Sequence, residues 1–286
     1  MERIGVIGIG FIGRRLVEAL VEADYEVIGY DVEPACEAVL EERGGTWADS
    51  PTAVAERVDA VVLAVPGAAE VTELLEGPNG IPANLAADGL VIDTSTTGPA
   101  VATAASEWCH DHGHAFATAP LTRAAPVGGI HMMVGADDAD YEAARPLIEV
   151  LSRNHVRIGT PTEAQTFKLI LQVRYAAQTA VDAEIVAFAR DCGLDPDVYR
   201  EFLELDIDDG YLEREFSQSI SGMGGLAIWH KDIGYALDVA RERGTATPIT
   251  NAVFEAYKYG MGVKDRREDV GDATTILRYW ETLNEE

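Results

Sequence analysis

An apolar run, Ile4-Gly5-Val6-Ile7, passes directly into Gly8-Ile9-Gly10-Phe11-Ile12-Gly13 and then into a helical pattern. Few backbone arrangements satisfy such a junction. Glycines in a G-x-G-x-x-G spacing between strand and helix close a tight turn at Gly8 and leave the backbone bare at Gly10. The third, Gly13, lets helix and strand pack closely. The amides of Phe11 and Ile12 then open the helix, where unpaired N–H groups and the helix dipole favour a phosphate. Asp31 ends the second predicted strand, eighteen positions past Gly13, where a carboxylate can accept hydrogen bonds from a ribose diol. The pattern predicts a dinucleotide site. Because the Asp31 carboxylate repels a 2′-phosphate, the expected cofactor is NAD in preference to NADP. The competing role for Asp31 is a cap on the helix after Pro34.

Downstream, β-branched runs and helical stretches take turns. Strands are predicted over 3–7, 26–30, 60–65, 90–93, 114–118, 131–135 and 155–158, and helices over 11–23, 34–43, 99–112 and 138–151. Such alternation makes βαβ units and a mostly parallel sheet, an α/β Rossmann domain over residues 1–160. After Thr160 the strands cease. One helical pattern covers 162–192, stops at Gly193 and is followed by Pro196. Its apolar residues lie round most of the circumference, which predicts burial between two domains or two subunits. Residues 161–286 read as an all-α C-terminal domain entered through this long interdomain helix, with acidic or glycine-rich loops at 206–210 and 222–225.

Charge narrows the partners. The chain has 286 residues, 47% of them hydrophobic, with 49 Asp and Glu against 22 Lys and Arg and a net charge of −27. The apolar content excludes disorder. The acidity opposes binding to nucleic acid or anionic membrane. Lysine occurs only at Lys168, Lys231, Lys258 and Lys264. Abundant acid with scarce lysine suits concentrated salt, where screening weakens self-repulsion, so a halophilic protein is expected. The N-terminus shows no export signal, and no apolar run approaches the roughly 20 residues of a membrane span. Cys36, Cys109 and Cys192 are too few and too dispersed for a disulfide framework or a four-thiolate zinc site. A cytoplasmic location is predicted.

Four further stretches follow in order: Asp93-Thr94-Ser95-Thr96-Thr97-Gly98-Pro99, Ala119-Pro120-Leu121-Thr122-Arg123-Ala124, Gly159 with Lys168-Leu169-Ile170-Leu171-Gln172, and His230-Lys231-Asp232-Ile233-Gly234-Tyr235-Ala236-Leu237-Asp238. With the glycine turn they resemble the β-hydroxyacid dehydrogenases, the family of 3-hydroxyisobutyrate dehydrogenase, over essentially the whole chain. The resemblance implies an NAD(H)-dependent oxidoreductase that moves a hydride between nicotinamide and a small anionic β-hydroxyacid or its semialdehyde. It implies Lys168 as general acid and base, Ser95, Thr122 and Gln172 at the substrate, and Val65, Pro66 and Thr96 beside the nicotinamide. It also implies Lys231 at the cofactor and a homodimer or homotetramer. The chemistry agrees, since a proton must accompany the hydride and burial on an apolar helix disfavours a lysine's charged form. The alternatives are a Lys168 that snorkels to solvent and a Lys231 that is an ordinary helix cation beside Asp232.

The sequence departs from the family pattern in three places. Leu171-Gln172 replaces a pair of asparagines, which leaves one amide on a longer arm. Thr122-Arg123-Ala124 replaces Ser-Gly-Gly, and the loop over 126–129 is about three residues shorter. The Arg123 guanidinium offers a planar donor fork suited to sulfonate, phosphate or carboxylate. An arginine there is similar to the sulfolactaldehyde reductase branch of the family, and Arg174 is a candidate second cation. The competing reading of Arg123 is a structural partner for surplus acid. Other outcomes are a 3-hydroxyisobutyrate or tartronate-semialdehyde type of dehydrogenase, or a non-catalytic NAD-binding regulatory protein.

Cys109-His110-Asp111-His112-Gly113-His114 has the composition of a metal site. It falls where a helix ends at Gly113 and a strand begins, so adjacent ligands there point apart. Histidines near a helix C-terminus also suit its dipole. No metal is expected.

Overall fold

The computed structural model describes residues 1–122, 129–194 and 225–264. The first strand, β1 (Arg3–Ile7), feeds the glycine turn and α1 (Gly13–Glu22). There follow β2 (Glu26–Tyr30), α2 (Cys36–Glu41), β3 (Thr46–Trp47), α3 (Pro51–Ala55), β4 (Ala60–Leu63), α4 (Ala68–Leu75) and α5 (Ile81–Asn84). Then come β5 (Leu90–Asp93), α6 (Pro99–Asp111), β6 (Ala115–Thr118), β7 (Leu121–Thr122), β8 (His131–Gly135), α7 (Asp138–Leu151) and β9 (Asn154–Gly159). Among the described residues, nine strands join one sheet in the order β3-β2-β1-β4-β5-β6-β8-β7, with β9 beside β8. Pairing is parallel except where β8 meets β6 and β7. This is the Rossmann arrangement predicted from the alternation.

Both faces of the sheet are covered, and the period of two decides which side chain faces which layer. Ile4, Val6, Val62, Leu90 and Ile92 pack with Leu16 and Leu20 of α1 and Leu147 and Ile148 of α7. Ile7, Val61, Leu63, Val91 and Phe116 pack on the other face with Val54, Val71, Leu75 and Cys109. β4 and β5 are buried along their whole length, as near-continuous apolar runs in a doubly covered sheet must be.

Register sets the edge on which a site can form. Ile7 lies opposite Tyr30 and Leu63, Leu63 opposite Asp93, and Asp93 opposite Thr118. The residues that follow these five strands therefore share the carboxyl edge of the sheet, where ligands bind in folds of this kind.

The chain divides into two compact units, Met1–Lys168 and Leu169–Glu286. The helix α8 (Pro161–Asp191) begins in the first and continues into the second. A capping box starts it: the Thr160 N–H donates to Glu163 Oε2 at 2.8 Å and the Glu163 N–H donates to Thr160 Oγ1 at 3.3 Å. These Thr160 bonds hold the Glu163 carboxyl below the usual range. Gly159 has φ +148°, and a Cβ there would meet Glu163 Oε2.

In the second unit, Ala176 and Ala180 of α8 pack with Ile233 and Leu237 of α9 (Gly225–Arg243) and with Val253 and Tyr257 of α10 (Pro248–Lys264). The Tyr257 hydroxyl donates to the Ala176 carbonyl at 3.1 Å. The apolar circumference of α8 predicts burial between two domains or two subunits. In the single chain, however, Ile170 and Phe188 are 65% and 68% exposed, and Phe167 and Val181 are exposed as well. No helix among the described residues is long and apolar enough to cross a membrane.

Candidate active site

The glycine turn is built as its spacing requires. Gly8 has φ +92°, and a Cβ on it would lie 2.4 Å from the Ala64 carbonyl oxygen. A Cβ on Gly13 would lie 1.7 Å from the Gly8 carbonyl oxygen, so side chains are excluded at both positions by neighbouring backbone. Gly10 differs, because nothing lies within 4 Å of the Cβ position there. Its glycine leaves open space above the turn, beside the amides of Phe11 and Ile12. No side chain caps the start of α1, and its Arg14, Arg15 and Leu16 N–H groups donate to the Gly10 and Ile12 carbonyls. The Arg15 and Arg14 guanidinium carbons stand 4.3 and 5.2 Å from the centre of the Phe11 ring.

Asp31 follows β2 directly. Its Oδ2 accepts from the Ile9 N–H at 2.6 Å and its Oδ1 from the Glu33 N–H at 2.9 Å, which fixes the carboxylate against the glycine turn. It is not a helix cap, since α2 begins at Cys36 without a side-chain cap. Burial, then Asp31 and Glu33, raise the neighbouring Cys36 thiol above its ordinary range.

On the other side of β1, the loops after β4 and β5 are tied together. Thr94 Oγ1 donates to the Leu63 carbonyl at 2.6 Å, and the Val65 N–H donates to Ser95 Oγ at 3.2 Å. The Ser95 N–H donates to Asp93 Oδ1 at 2.9 Å. Pro66 is exposed and Thr96 half-buried at the same edge. Thr122 ends β7, and Arg123 lies outside the described residues. Lys168 is 5% exposed and donates from Nζ to the Leu121 carbonyl at 2.8 Å. Its amine is thus held inside the protein against the segment that follows β6, and does not snorkel to solvent.

The second unit has its own polar cluster. Gln172, one turn beyond Lys168, is 6% exposed and donates from Nε2 to Oδ2 of Asp232, itself 1% exposed. Lys231 Nζ lies 3.0 Å from Asp232 Oδ1 and over the Tyr235 ring. Arg174 is not gathered with these groups. Six residues past Lys168 it has turned onto another side of α8, exposed and over the Tyr175 ring.

Two family models match. The NAD binding domain of 6-phosphogluconate dehydrogenase covers residues 3–159, and the NAD-binding domain of NADP-dependent 3-hydroxyisobutyrate dehydrogenase covers residues 162–280. The chain belongs to the β-hydroxyacid dehydrogenase family. It is 24% identical to the 2-(hydroxymethyl)glutarate dehydrogenase of Eubacterium barkeri, over 98% of this chain and 95% of that one. It is 28% identical to the mitochondrial 3-hydroxyisobutyrate dehydrogenase of Mus musculus, over 96% of this chain and 87% of that one. In fold it is similar to the 3-hydroxyisobutyrate dehydrogenase of Mycobacterium tuberculosis solved with L-serine. That match has a TM-score of 0.80 at 20% identity and covers 99% of each chain.

For a dehydrogenase of this family, the open cradle at Gly10, the uncapped start of α1 and the fixed Asp31 carboxylate fit a nicotinamide dinucleotide. Within each unit, some residues beside these groups carry no sequence signal of their own. Arg14 and Arg15 carry no motif of their own. Asp232, a sequence neighbour of Lys231, joins Lys231 to Gln172. Gln165 is 0% exposed, and its bonds run to residues 47 to 70 positions away.

The histidine-rich stretch of the dehydrogenase disperses as its position at a helix end predicts. Cys109 is buried, and desolvation with Asp140 and Asp93 raises its thiol well above the ordinary range. His112 Nδ1 bonds to the Trp108 carbonyl at 2.8 Å. His114 Nδ1 accepts from the Gly89 N–H at 3.1 Å, and its Nε2 lies 2.8 Å from the Pro82 carbonyl oxygen. His110, Asp137 and Asp140 do bring possible ligand atoms within 4.8 Å of one another. Asp137 caps α7 there, while Asp140 accepts from the Phe116 N–H at 3.1 Å and bonds to His110 Nε2 at 2.6 Å.

Proposed function

We propose that this dehydrogenase interconverts a small anionic β-hydroxyacid and its semialdehyde with NAD(H), with Lys168 as the general acid and base. The observation that carries the reading is the Lys168 amine, buried and donating to Leu121 O. The Thr118–Leu121 segment it touches continues the same carboxyl edge that bears Ser95 and the glycine turn.

The nicotinamide, when bound, supplies or accepts the hydride. Backbone amides of Phe11 and Ile12 would hold the pyrophosphate, Asp31 would accept from the ribose, Val65, Pro66 and Thr96 would lie beside the nicotinamide, and Lys231 would be a further cofactor contact. Lys168 gives its Nζ proton to the carbonyl oxygen in reduction and takes the hydroxyl proton in oxidation. Ser95 and Thr122 contact the substrate and Gln172 orients it. Asp31, fixed by two backbone N–H groups and followed by Glu33, favours NAD over NADP. Arg123 is the proposed site for the anionic end, which makes sulfolactaldehyde a candidate substrate beside 3-hydroxyisobutyrate and tartronate semialdehyde.

The exposed Phe167, Ile170, Val181 and Phe188 support a homodimer or homotetramer. The net charge of −27 with four lysines supports work in concentrated salt. The test is the fall in cofactor absorbance with a panel of anionic semialdehydes, run with NADH and NADPH in dilute and in molar KCl. Turnover with NADH in high salt is expected. No turnover with any member would leave an NAD-binding protein without this chemistry.

A further inference from the structure

Gln165 lies one helical turn before Lys168 and uses both ends of its amide. Its Nε2 donates to the Ser95 carbonyl at 3.0 Å and to Thr118 Oγ1 at 2.8 Å. Its Oε1 accepts from the N–H groups of Thr97 and Gly98 at 3.1 and 3.3 Å. Every partner is buried. Two donors and an acceptor at the end of a two-methylene arm are a set that only glutamine offers here. Glutamate lacks the donors, methionine lacks both functions, and asparagine is one methylene short.

The loop 94–98 is thus suspended between two anchors. On one side Thr94 and Ser95 are tied to Leu63 and Val65 after β4. On the other side one amide joins the loop to α8, the helix that carries Lys168. That amide also reaches Thr118 at the end of β6, three residues before the Leu121 carbonyl that receives the Lys168 amine.

We propose that Gln165 is a positioning residue for hydride transfer, holding the Ser95–Gly98 loop at a fixed distance from Lys168. This rests on the proposed roles of Ser95, Thr96 and Lys168. Loop and lysine belong to separate chain segments, so without the amide each can keep its own fold while their separation drifts. A displacement of about 1 Å between reacting groups costs on the order of 100-fold in rate.

The test is single-turnover oxidation of bound NADH by a semialdehyde that the unaltered enzyme accepts, in Gln165→Met and Thr118→Val. A positioning role predicts a full amplitude, set by bound NADH, with a rate constant lower by on the order of 100-fold in Gln165→Met. A smaller loss is expected in Thr118→Val, which removes one of the four bonds. Deuterium at the transferred position of NADH should slow the variants further, placing the loss in the hydride step. An unchanged rate constant with reduced amplitude would mean a residue needed only for folding, and would overturn the proposal. If Gln165→Met does not fold, Thr118→Val decides alone, and an unaltered rate constant there overturns it. Absence of turnover in the unaltered enzyme removes the proposed function as well. Turnover that Gln165→Met retains in full removes only this inference.

Discussion

The two units fix their polar groups in different ways. At the carboxyl edge of the first, side chains are held by backbone: Asp31 by two N–H groups, Ser95 by the Val65 N–H, Lys168 by a carbonyl. In the second, side chains hold one another, as Gln172 bonds to Asp232 and Asp232 pairs with Lys231. A sheet presents rows of strand ends at set spacings, so the backbone itself can position a ligand there. Helices have used their N–H and C=O groups internally, and a site on their flanks must be assembled from side chains. The first kind of site is rigid through the fold. The second depends on each partner being present.

That contrast can be broken by substitution. The largest effect is expected for Gly13→Val, because the new Cβ would stand 1.7 Å from the Gly8 carbonyl oxygen and backbone there has no rotamer to yield. Destabilisation of about 3 kcal/mol or more, with loss of NADH binding, should appear in thermal unfolding and fluorescence titration. Retained NADH affinity would show that the turn is more pliable than its packing indicates.

Asp232→Asn probes the side-chain cluster. It keeps the shape but removes the charge that Gln172 and Lys231 share. A stability loss of about 2 kcal/mol and a raised KM for substrate are expected. Urea unfolding and steady-state kinetics read both. A neutral outcome would mean that the cluster is not a dependent assembly.

The smallest effect concerns His230, whose ring stacks on Phe254 with centroids 4.5 Å apart. Burial, then the nearby Lys258 charge, hold its pKa below the ordinary value, with Glu255 opposing. As pH falls below about 6.5, the unfolded chain takes up a proton that the folded ring takes up only at lower pH. Stability therefore declines through that window and levels off once the folded ring is charged. His230→Phe should flatten this part of the stability–pH curve, and an unaltered slope would assign the decline to another group.

The same difference explains what could be read in advance. β1, β2, β5 and β8 lie where apolar runs place them, because buried strands in a doubly covered sheet leave an unbroken signal. β3 and β7 are two residues each, too short for any period. The glycine turn was legible because its three positions are set by local backbone. Gln165 was not, since its partners are brought to it only by the fold. α8 is legible as a helix with apolar residues round most of its circumference, of which Ile170 and Phe188 face outward in the single chain. Periodicity reports which faces avoid water and is silent on whether the cover comes from the same chain.

The role of Lys168 is tested by turnover of NADH with a semialdehyde in Lys168→Ala, with and without added methylamine. A general acid and base at Lys168 predicts a fall in kcat of about 10²- to 10⁴-fold, unchanged NADH affinity and partial recovery when the small amine supplies the missing proton donor. Turnover within a few-fold of the unaltered enzyme, or a loss that tracks weakened NADH binding and ignores the amine, would contradict it.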